Sequence, residues 1–288
     1  MKRFLSMILL LALFLAGCTP AATAVPTSAS TLPPPTEKPT EAPTAVPPTA
    51  TAEPITLNVF AAASLTDAFT EIGANFDAAH PGVTTTFNFA GSPALRTQIE
   101  EGAPADVFAS ASGKEMDAAV EGKFVADGVK QVFLTNRLVV ILPADNPAGL
   151  EKLEDLANPG VKIVLAAEEV PVGNYARQSL ELMNGLFGAD FKDKVLANVV
   201  SNEDNVKQVV SKVQLGEVDA GIAYVSDIVA SPDLKTIEIP TELNVIAKYP
   251  IAPLAASPNA EIAQAFIDYV LSADGQAILQ KWGFAPPN

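Results

Sequence analysis

The sequence predicts an α/β protein with two lobes, each a β-sheet flanked by helices. From residue 55 onward, short β-rich runs alternate with helical patterns, the order that produces parallel sheets covered on both faces. Residues 55–288 number 234, which is large for one hydrophobic core and comfortable for two. We therefore expect two sheets, joined by a hinge where the chain passes between them.

The individual elements follow from hydrophobic spacing. In ITLNVFAAASL and the residues after it, Leu65, Phe69, Ile72 and Phe76 recur at helical spacing, whereas VTTTFNFA alternates as a strand does. The predicted strands are, in chain order, ITLNVFAA, VTTTFNFA, ADVFASA, RLVVILPA, VKIVLAA, KVLANVVS, AGIAYVS and IAKYPIAPLAAS. The first predicted helix begins after Ser64. The other predicted helices lie in SPALRTQIEEG, KEMDAAVEGK, NYARQSLELMNGLF, NVKQVVSKVQLG and residues 259–281.

Two apolar stretches, near 137–143 and 245–254, suggest two crossings between the lobes. The first lobe is then discontinuous and comprises residues 55–139 plus 247–288. The second lobe is an insertion of residues 140–246.

The N-terminal segment is typical of an export signal. Lys2 and Arg3 precede the apolar run FLSMILLLALFLAG, and Cys18 follows it. The ending LAGC resembles a bacterial lipobox, in which the cysteine is lipidated and becomes the mature N-terminus. We expect residues 1–17 to be a signal peptide and Cys18 to anchor the protein outside the cytoplasm on the cell membrane; an ordinary signal peptide with a stray cysteine is the alternative.

The segment after Cys18 is a predicted tether. Residues 19–54 consist mainly of Ala, Thr, Ser and Pro and hold 10 of the 24 prolines. Such a composition buries too little apolar surface to fold and favours extended conformations. We expect residues 18–54 to be a disordered link between lipid and folded domain.

Charge and missing motifs exclude several function classes. The formal charge is −15, and loss of Lys2 and Arg3 with the signal takes it to −17, which argues against nucleic acid and anionic lipid surfaces as partners. His80 is the sole histidine, and no GxSxG, GxGxxG or P-loop motif is present. We expect no enzymatic activity, no cofactor and no metal-ion ligands.

Four residues share an unusual position. Ser64, Ser92, Val172 and Val206 all lie where a predicted strand gives way to a helix. Ligands of open α/β sheets bind outside the carboxyl ends of the strands. Ordinary structural roles are the alternatives: a capping box between Ser64 and Asp67, Ser92 as an N-cap, and the valines as core residues.

Helix N-termini and small hydroxyls together predict an anion site. Unpaired N–H groups and a partial positive charge at a helix start attract anions without any basic side chain. A cage made only of donors suits a tetrahedral dianion that is fully deprotonated, whereas hydrogen phosphate brings a proton that needs an acceptor. Sulfate and molybdate both pass this filter.

Several motifs resemble the molybdate-binding proteins of bacterial ABC transporters. They are VFAAASLTDAF, FAGSPALRTQIEEGAPADVFASA, VPVGNYARQSL, EDNVKQVVSKVQLGEVDAGIAYVSD and QKWGF, spread over residues 55–288. The resemblance implies a two-lobed type II periplasmic-binding-protein fold. It also implies that the hydroxyls of Ser64, Ser92 and Tyr224 and the backbone N–H groups of Val172 and Val206 hold the oxyanion.

The resemblance further implies an extracytoplasmic receptor for molybdate, and for tungstate as a second ligand. Its partners are an ABC transporter permease and, through it, an ATPase subunit, and we expect a monomer. The alternatives are a receptor for another oxyanion such as sulfate, a tungstate receptor that adds Glu168 or Glu169 as ligands, a secreted enzyme on the same superfold, and a surface adhesion module.

Overall fold

The structure is a computed structural model that describes residues 53–287. The predicted signal peptide, Cys18 and the predicted tether as far as residue 52 lie outside the described residues. The strands of residues 53–287 are β1 (Ile55–Ala62), β2 (Val83–Ala90), β3 (Val107–Ala109), β4 (Gln131–Asn136), β5 (Leu138–Leu142), β6 (Ile163–Ala166), β7 (Val199–Glu203), β8 (Ala220–Tyr224), β9 (Lys235–Glu238) and β10 (Ala247–Pro253).

Helices connect most of these strands. The α-helices of the same residues are α1 (Thr66–Ala79), α2 (Ser92–Glu100), α3 (Gly113–Glu121), α4 (Pro171–Phe187), α5 (Phe191–Ala197), α6 (Val206–Gln214), α7 (Val225–Val229), α8 (Ala260–Leu271) and α9 (Ala273–Lys281). Three short 3₁₀ helices lie at Ala63–Leu65, Leu153–Ala157 and Thr241–Leu243.

The strands form two five-stranded sheets, with the spatial orders β2-β1-β3-β10-β4 and β7-β6-β8-β5-β9. The predicted two-lobed α/β architecture, with a helix-flanked sheet in each lobe, is therefore confirmed. The pairs β1–β2, β1–β3, β6–β7 and β6–β8 are parallel, so the carboxyl ends of these strands face the region between the sheets.

The sheets are mixed, whereas the alternation of strands and helices in the sequence predicts parallel sheets. β10 runs antiparallel to β3 and β4, and β5 runs antiparallel to β8 and β9. The way the chain passes between the two lobes explains these antiparallel pairs. β4 leaves the first sheet at its carboxyl end, so β5 enters the second sheet from the facing edge and must run opposite to β8. β10 returns in the same way.

Two boundaries and two strands differ from the prediction. Sheet membership changes between Asn136 and Leu138, so the predicted lobe boundary after residue 139 is two residues late. The strands β4 and β9 are not predicted, because polar residues interrupt the apolar pattern in QVFLTN and KTIE. The strand predicted over 194–201 begins only at Val199, because Phe191 and Val195 are buried one helical turn apart in α5.

Apolar packing holds each sheet to its helices. In the first lobe, Phe266 of α8 contacts Phe69 and Phe76 of α1, with ring centroids 5.9 and 5.3 Å apart. In the second lobe, Val209 and Val213 of α6 pack over Gly221 of β8. Burial of each such side chain contributes about 1.5–3 kcal/mol, and these contacts fix where the strand ends lie. No helix within residues 53–287 combines the length and the apolar character that a bilayer crossing requires.

Candidate binding site

A small cavity lies between the lobes, at the carboxyl ends of the parallel strands. Its volume is about 20 Å³, which exceeds the roughly 10–15 Å³ that one water needs. The cavity therefore suits a small guest. The lining residues are Ala62, Ala63, Ser64, Ala90, Gly91, Ser92, Ala111, Val170, Pro171, Val172, Asn205, Val206 and Tyr224.

The structure brings all five predicted site residues to this cavity. Ser64 follows β1 and Ser92 follows β2, so both come from the first lobe. The other three come from the second lobe: Val172 lies in the first turn of α4, Val206 begins α6, and Tyr224 ends β8. Their role in binding stays a prediction.

Ser64 has no capping role, and that structural alternative is wrong. Ser64 lies inside the 3₁₀ turn Ala63–Leu65, and neither this turn nor α1 has a side-chain cap. The Ser64 Oγ instead lies 2.9 Å from the hydroxyl of Tyr249 on β10. The serine is therefore tied to the centre of the first sheet, with its side chain at the cavity.

Ser92 is not the N-cap that the sequence predicts. Gly91 is the N-cap of α2, and Ser92 is the first helical residue. The Ser92 Oγ accepts a hydrogen bond of 3.0 Å from the backbone N–H of Ala111. Since an N–H group can only donate, the proton of the Ser92 hydroxyl remains available for another acceptor.

The second lobe presents two helix starts to the cavity. The first N–H groups of α4 and α6 have no intrahelical acceptor. At α6, Asn205 caps the helix by accepting a hydrogen bond of 3.2 Å from the backbone N–H of Gln208. The backbone at Val172 and Val206 can therefore donate toward a guest in the cavity.

Tyr224 carries an unsatisfied donor. Its side chain is buried, and its hydroxyl has no hydrogen-bond partner within residues 53–287. Burial raises the pKa of this hydroxyl well above its ordinary value, so the group stays protonated. An unpaired buried hydroxyl costs free energy, and an acceptor in the cavity would remove that cost.

No residue of the cavity lining carries a charged side chain. Charged side chains outside the lining form an ion pair between the lobes. The Lys207 Nζ lies 2.7 Å from the Asp67 carboxylate across the lobes and 3.4 Å from Asp227 in its own lobe. Burial raises the pKa of Asp227 to about 6, although Lys207 opposes the shift. Burial lowers the pKa of Lys207, but the attraction of Asp227 and Asp67 outweighs it and the net shift is upward.

The lobes approach each other closely beside the cavity. A Cβ atom on Gly91 would lie 2.3 Å from the backbone oxygen of Asp204 in the opposite lobe. Atoms this close overlap, so only glycine fits here at this lobe separation. Nearby, the Asn136 side-chain amide donates a hydrogen bond of 2.9 Å to the Ser226 hydroxyl, again across the lobes.

Other charged side chains lie outside the cavity lining. Arg96, one helical turn after Ser92, pairs with Glu100 and Glu115 on the first lobe. Glu168 and Glu169 are exposed and do not line the cavity, so nothing in the structure supports carboxylate ligands there.

Sequence reasoning missed Tyr249 and the ion pair of Lys207. Tyr249 follows an ordinary strand pattern, and its importance depends on a contact with Ser64, 185 residues away in the chain. No local signal identifies it.

Comparison with known proteins identifies the family. Residues 57–285 match the family model described as bacterial extracellular solute-binding protein. The molybdate-binding protein ModA of Mycobacterium tuberculosis is 39% identical over 241 residues, which cover 83% of this chain and 87% of that protein. This chain belongs to the bacterial extracellular solute-binding proteins, in the family of molybdate-binding proteins. The resemblance predicted from the motifs is confirmed.

Solved structures of solute-binding proteins share the fold. The periplasmic molybdate-binding protein of Azotobacter vinelandii has a TM-score of 0.71 at 20% identity and covers 81% of this chain and all of its own. The sulfate-binding protein SubI of Mycobacterium tuberculosis has a TM-score of 0.74 at 17% identity, with 81% of this chain and 88% of that one covered. The periplasmic-binding-protein fold of this solute-binding family is thus established, and its members bind solutes.

Proposed function

We propose that this protein binds molybdate, and tungstate as a second ligand, outside the cytoplasm and delivers it to an ABC transporter permease. The observation that carries the proposal is the small cavity between the lobes, which is lined by hydrogen-bond donors and by no charged side chain. The family membership and the 39% identical molybdate-binding relative support the same ligand.

The proposed contacts divide between the lobes. Hydroxyls of Ser64 and Ser92 donate from the first lobe. From the second lobe the Tyr224 hydroxyl donates, together with the backbone N–H groups of Val172 and Val206. Hydrogen bonds to a charged acceptor each contribute about 1.5–3 kcal/mol, so five of them can hold a dianion without a cation beside it.

Donors alone also provide selectivity. Molybdate, tungstate and sulfate are fully deprotonated at neutral pH, so every oxygen can accept. Hydrogen phosphate carries a proton that would face a donor, and the unpaired contact costs binding energy. Cavity size must separate molybdate from the smaller sulfate, which makes sulfate the principal competitor in any test.

Closure of the lobes over the ligand completes the proposal. Because the donors come from both lobes, the ligand holds the closed form together, and the permease then recognises that form. We propose that the chain acts as a monomer, that it works with a permease and an ATPase subunit, and that it has no catalytic activity.

The N-terminal part of the proposal rests on sequence alone. Lys2, Arg3 and the apolar run before Cys18 support a signal peptide that ends at residue 17 and a lipid on Cys18. The Pro-rich stretch that follows then tethers the receptor to the outer face of the cell membrane. Metabolic labelling with a fatty acid tests this, and Cys18→Ala should abolish the label.

Isothermal titration calorimetry of the purified protein with molybdate, tungstate, sulfate and phosphate tests the ligand. We expect tight binding of molybdate and tungstate, weaker binding of sulfate and no binding of phosphate. Melting temperatures should rise in the same order, since a ligand of the native state stabilises it by mass action. Equal affinity for sulfate would remove the assignment to molybdate, and no response to any oxyanion would overturn the proposal.

A further inference from the structure

Tyr249 contacts two of the residues that line the cavity, Ser64 and Tyr224. It lies on β10 and is fully buried, and its ring contacts Tyr224 of the opposite lobe with centroids 6.0 Å apart. Its hydroxyl is 2.9 Å from the Ser64 Oγ. Tyr249 does not line the cavity, so any influence on a guest must act through another residue.

The direction of the Tyr249–Ser64 hydrogen bond follows from the available partners. Burial raises the pKa of the Tyr249 hydroxyl far above its ordinary value, so the group keeps its proton and must place it. Among the hydrogen bonds formed by residues 53–287, Ser64 Oγ is the partner of this hydroxyl. The distance alone allows either hydroxyl to donate. The arrangement with Tyr249 as donor and Ser64 as acceptor gives the buried phenol proton an acceptor within hydrogen-bonding distance.

This direction decides what Ser64 offers to the cavity. A serine hydroxyl has one proton and accepts with its lone pairs. With its accepting side occupied by Tyr249, Ser64 turns its proton toward the cavity. Ser92 reaches the same state by another route, since the backbone N–H of Ala111 occupies its accepting side.

We infer that Tyr249 is a positioning residue that fixes Ser64 as a donor and thereby makes the site reject oxyanions that retain a proton. The inference rests on the proposed function and extends it to a residue outside the cavity. Without the Tyr249 hydroxyl, Ser64 can rotate and accept, so one position in the cavity becomes tolerant of a protonated oxygen.

The variant Tyr249→Phe tests the inference in the full chain. Phenylalanine keeps the packing against Phe133 and Phe284 and removes only the hydroxyl. Calorimetry should show molybdate affinity reduced about 10-fold, the equivalent of one hydrogen bond to a charged group. Phosphate should displace bound molybdate more readily from Tyr249→Phe than from the wild type. Tyr269→Phe, a tyrosine of the same lobe that packs on Phe76, is the matched control and should change neither quantity.

A double-mutant cycle with Ser64→Ala shows whether Tyr249 acts through Ser64. If it does, Tyr249→Phe should cost little additional affinity once Ser64 is alanine. An equal cost in both backgrounds, or unchanged competition by phosphate in Tyr249→Phe, would overturn the inference. Failure of the proposed function would appear differently, as a wild-type protein that binds no oxyanion.

Discussion

The two halves of the cavity are built on different principles. In the first lobe, Ser64 and Ser92 are each hydrogen-bonded to a group of their own lobe, namely the Tyr249 hydroxyl and the Ala111 N–H. In the second lobe, the Tyr224 hydroxyl has no partner among the described residues. The first half is therefore fixed when its lobe folds, whereas the second half carries an unsatisfied donor. A substitution in the first half should lower both the unfolding free energy and the affinity for the ligand. A substitution in the second half should lower the affinity without lowering the unfolding free energy.

The largest expected effect on molybdate affinity comes from a substitution that prevents the two halves of the cavity from closing around the ligand. The backbone of Gly91 (φ −61°, ψ 138°) is accessible to alanine, but the new Cβ would overlap the Asp204 oxygen across the lobes. We expect Gly91→Ala to lower molybdate affinity by at least about 100-fold, because the second lobe's donors no longer reach the ligand. Calorimetry measures the loss.

Gly113→Ala is the matched control, since the nearest atom to its Cβ would lie 3.9 Å away. It should bind as the wild type does. Wild-type affinity in Gly91→Ala would mean that the lobes do not close to this distance around the ligand.

In the first half, Ser92→Ala removes a donor and also leaves the Ala111 N–H unpaired. We expect unfolding free energy without ligand to fall by about 1–2 kcal/mol and molybdate affinity to fall by about 30-fold. Chemical denaturation and calorimetry give the two values, with exposed Ser211→Ala as control. Lost affinity with unchanged stability would show that the Ala111 contact contributes nothing to the fold.

In the second half, Tyr224→Phe should change the unfolding free energy and the molybdate affinity in opposite directions. Removing an unpaired buried hydroxyl should raise the unfolding free energy without ligand by about 1 kcal/mol, while molybdate affinity falls about 10-fold. The same two measurements apply, and Tyr175→Phe is the control, since Tyr175 lies in the same lobe outside the cavity. A stability loss in Tyr224→Phe would mean that the hydroxyl has a partner in solution, and the contrast between the halves would disappear.

The smallest expected effect is a pH dependence behind the second half. Because the pKa of Asp227 is raised to about 6, the folded protein binds a proton that the unfolded chain has already released. Stability from this group therefore falls as pH rises from its unfolded pKa through about 6. From about pH 5 to about pH 7 the loss should be about 1 kcal/mol.

Asp227→Asn isolates this contribution, because other carboxylates titrate equally in both proteins. The difference in unfolding free energy between wild type and Asp227→Asn should change across this pH window in the stated direction. A difference independent of pH would place the pKa of Asp227 outside the window.

The sequence predicts the position of the site better than its chemistry. Strand periodicity places Ser64 and Ser92 at strand ends, and parallel strands bring such ends together. Local rules also suggested capping roles for both serines, and those are wrong because Tyr249 and Ala111 take up the hydroxyls instead. These partners arrive from distant parts of the chain, and no local pattern encodes them.

The same limit applies to the fold. Alternating strands and helices predict two helix-flanked sheets, but the direction of β5 and β10 depends on how the chain moves between lobes. Arg137 alone separates β4 from β5 in the chain, yet the two strands pair with different sheets. Pairing is a tertiary property, so hydrophobic periodicity does not report it.

The sheet order has a consequence for biosynthesis. β10 lies between β3 and β4 in the first sheet, although it comes after every strand of the second sheet in the chain. A nascent chain emerging amino terminus first thus completes the second sheet while the first still lacks an inner strand. The half that begins the polypeptide is the last to mature, and until Pro253 emerges its edge stays open to chaperones and to other nascent chains.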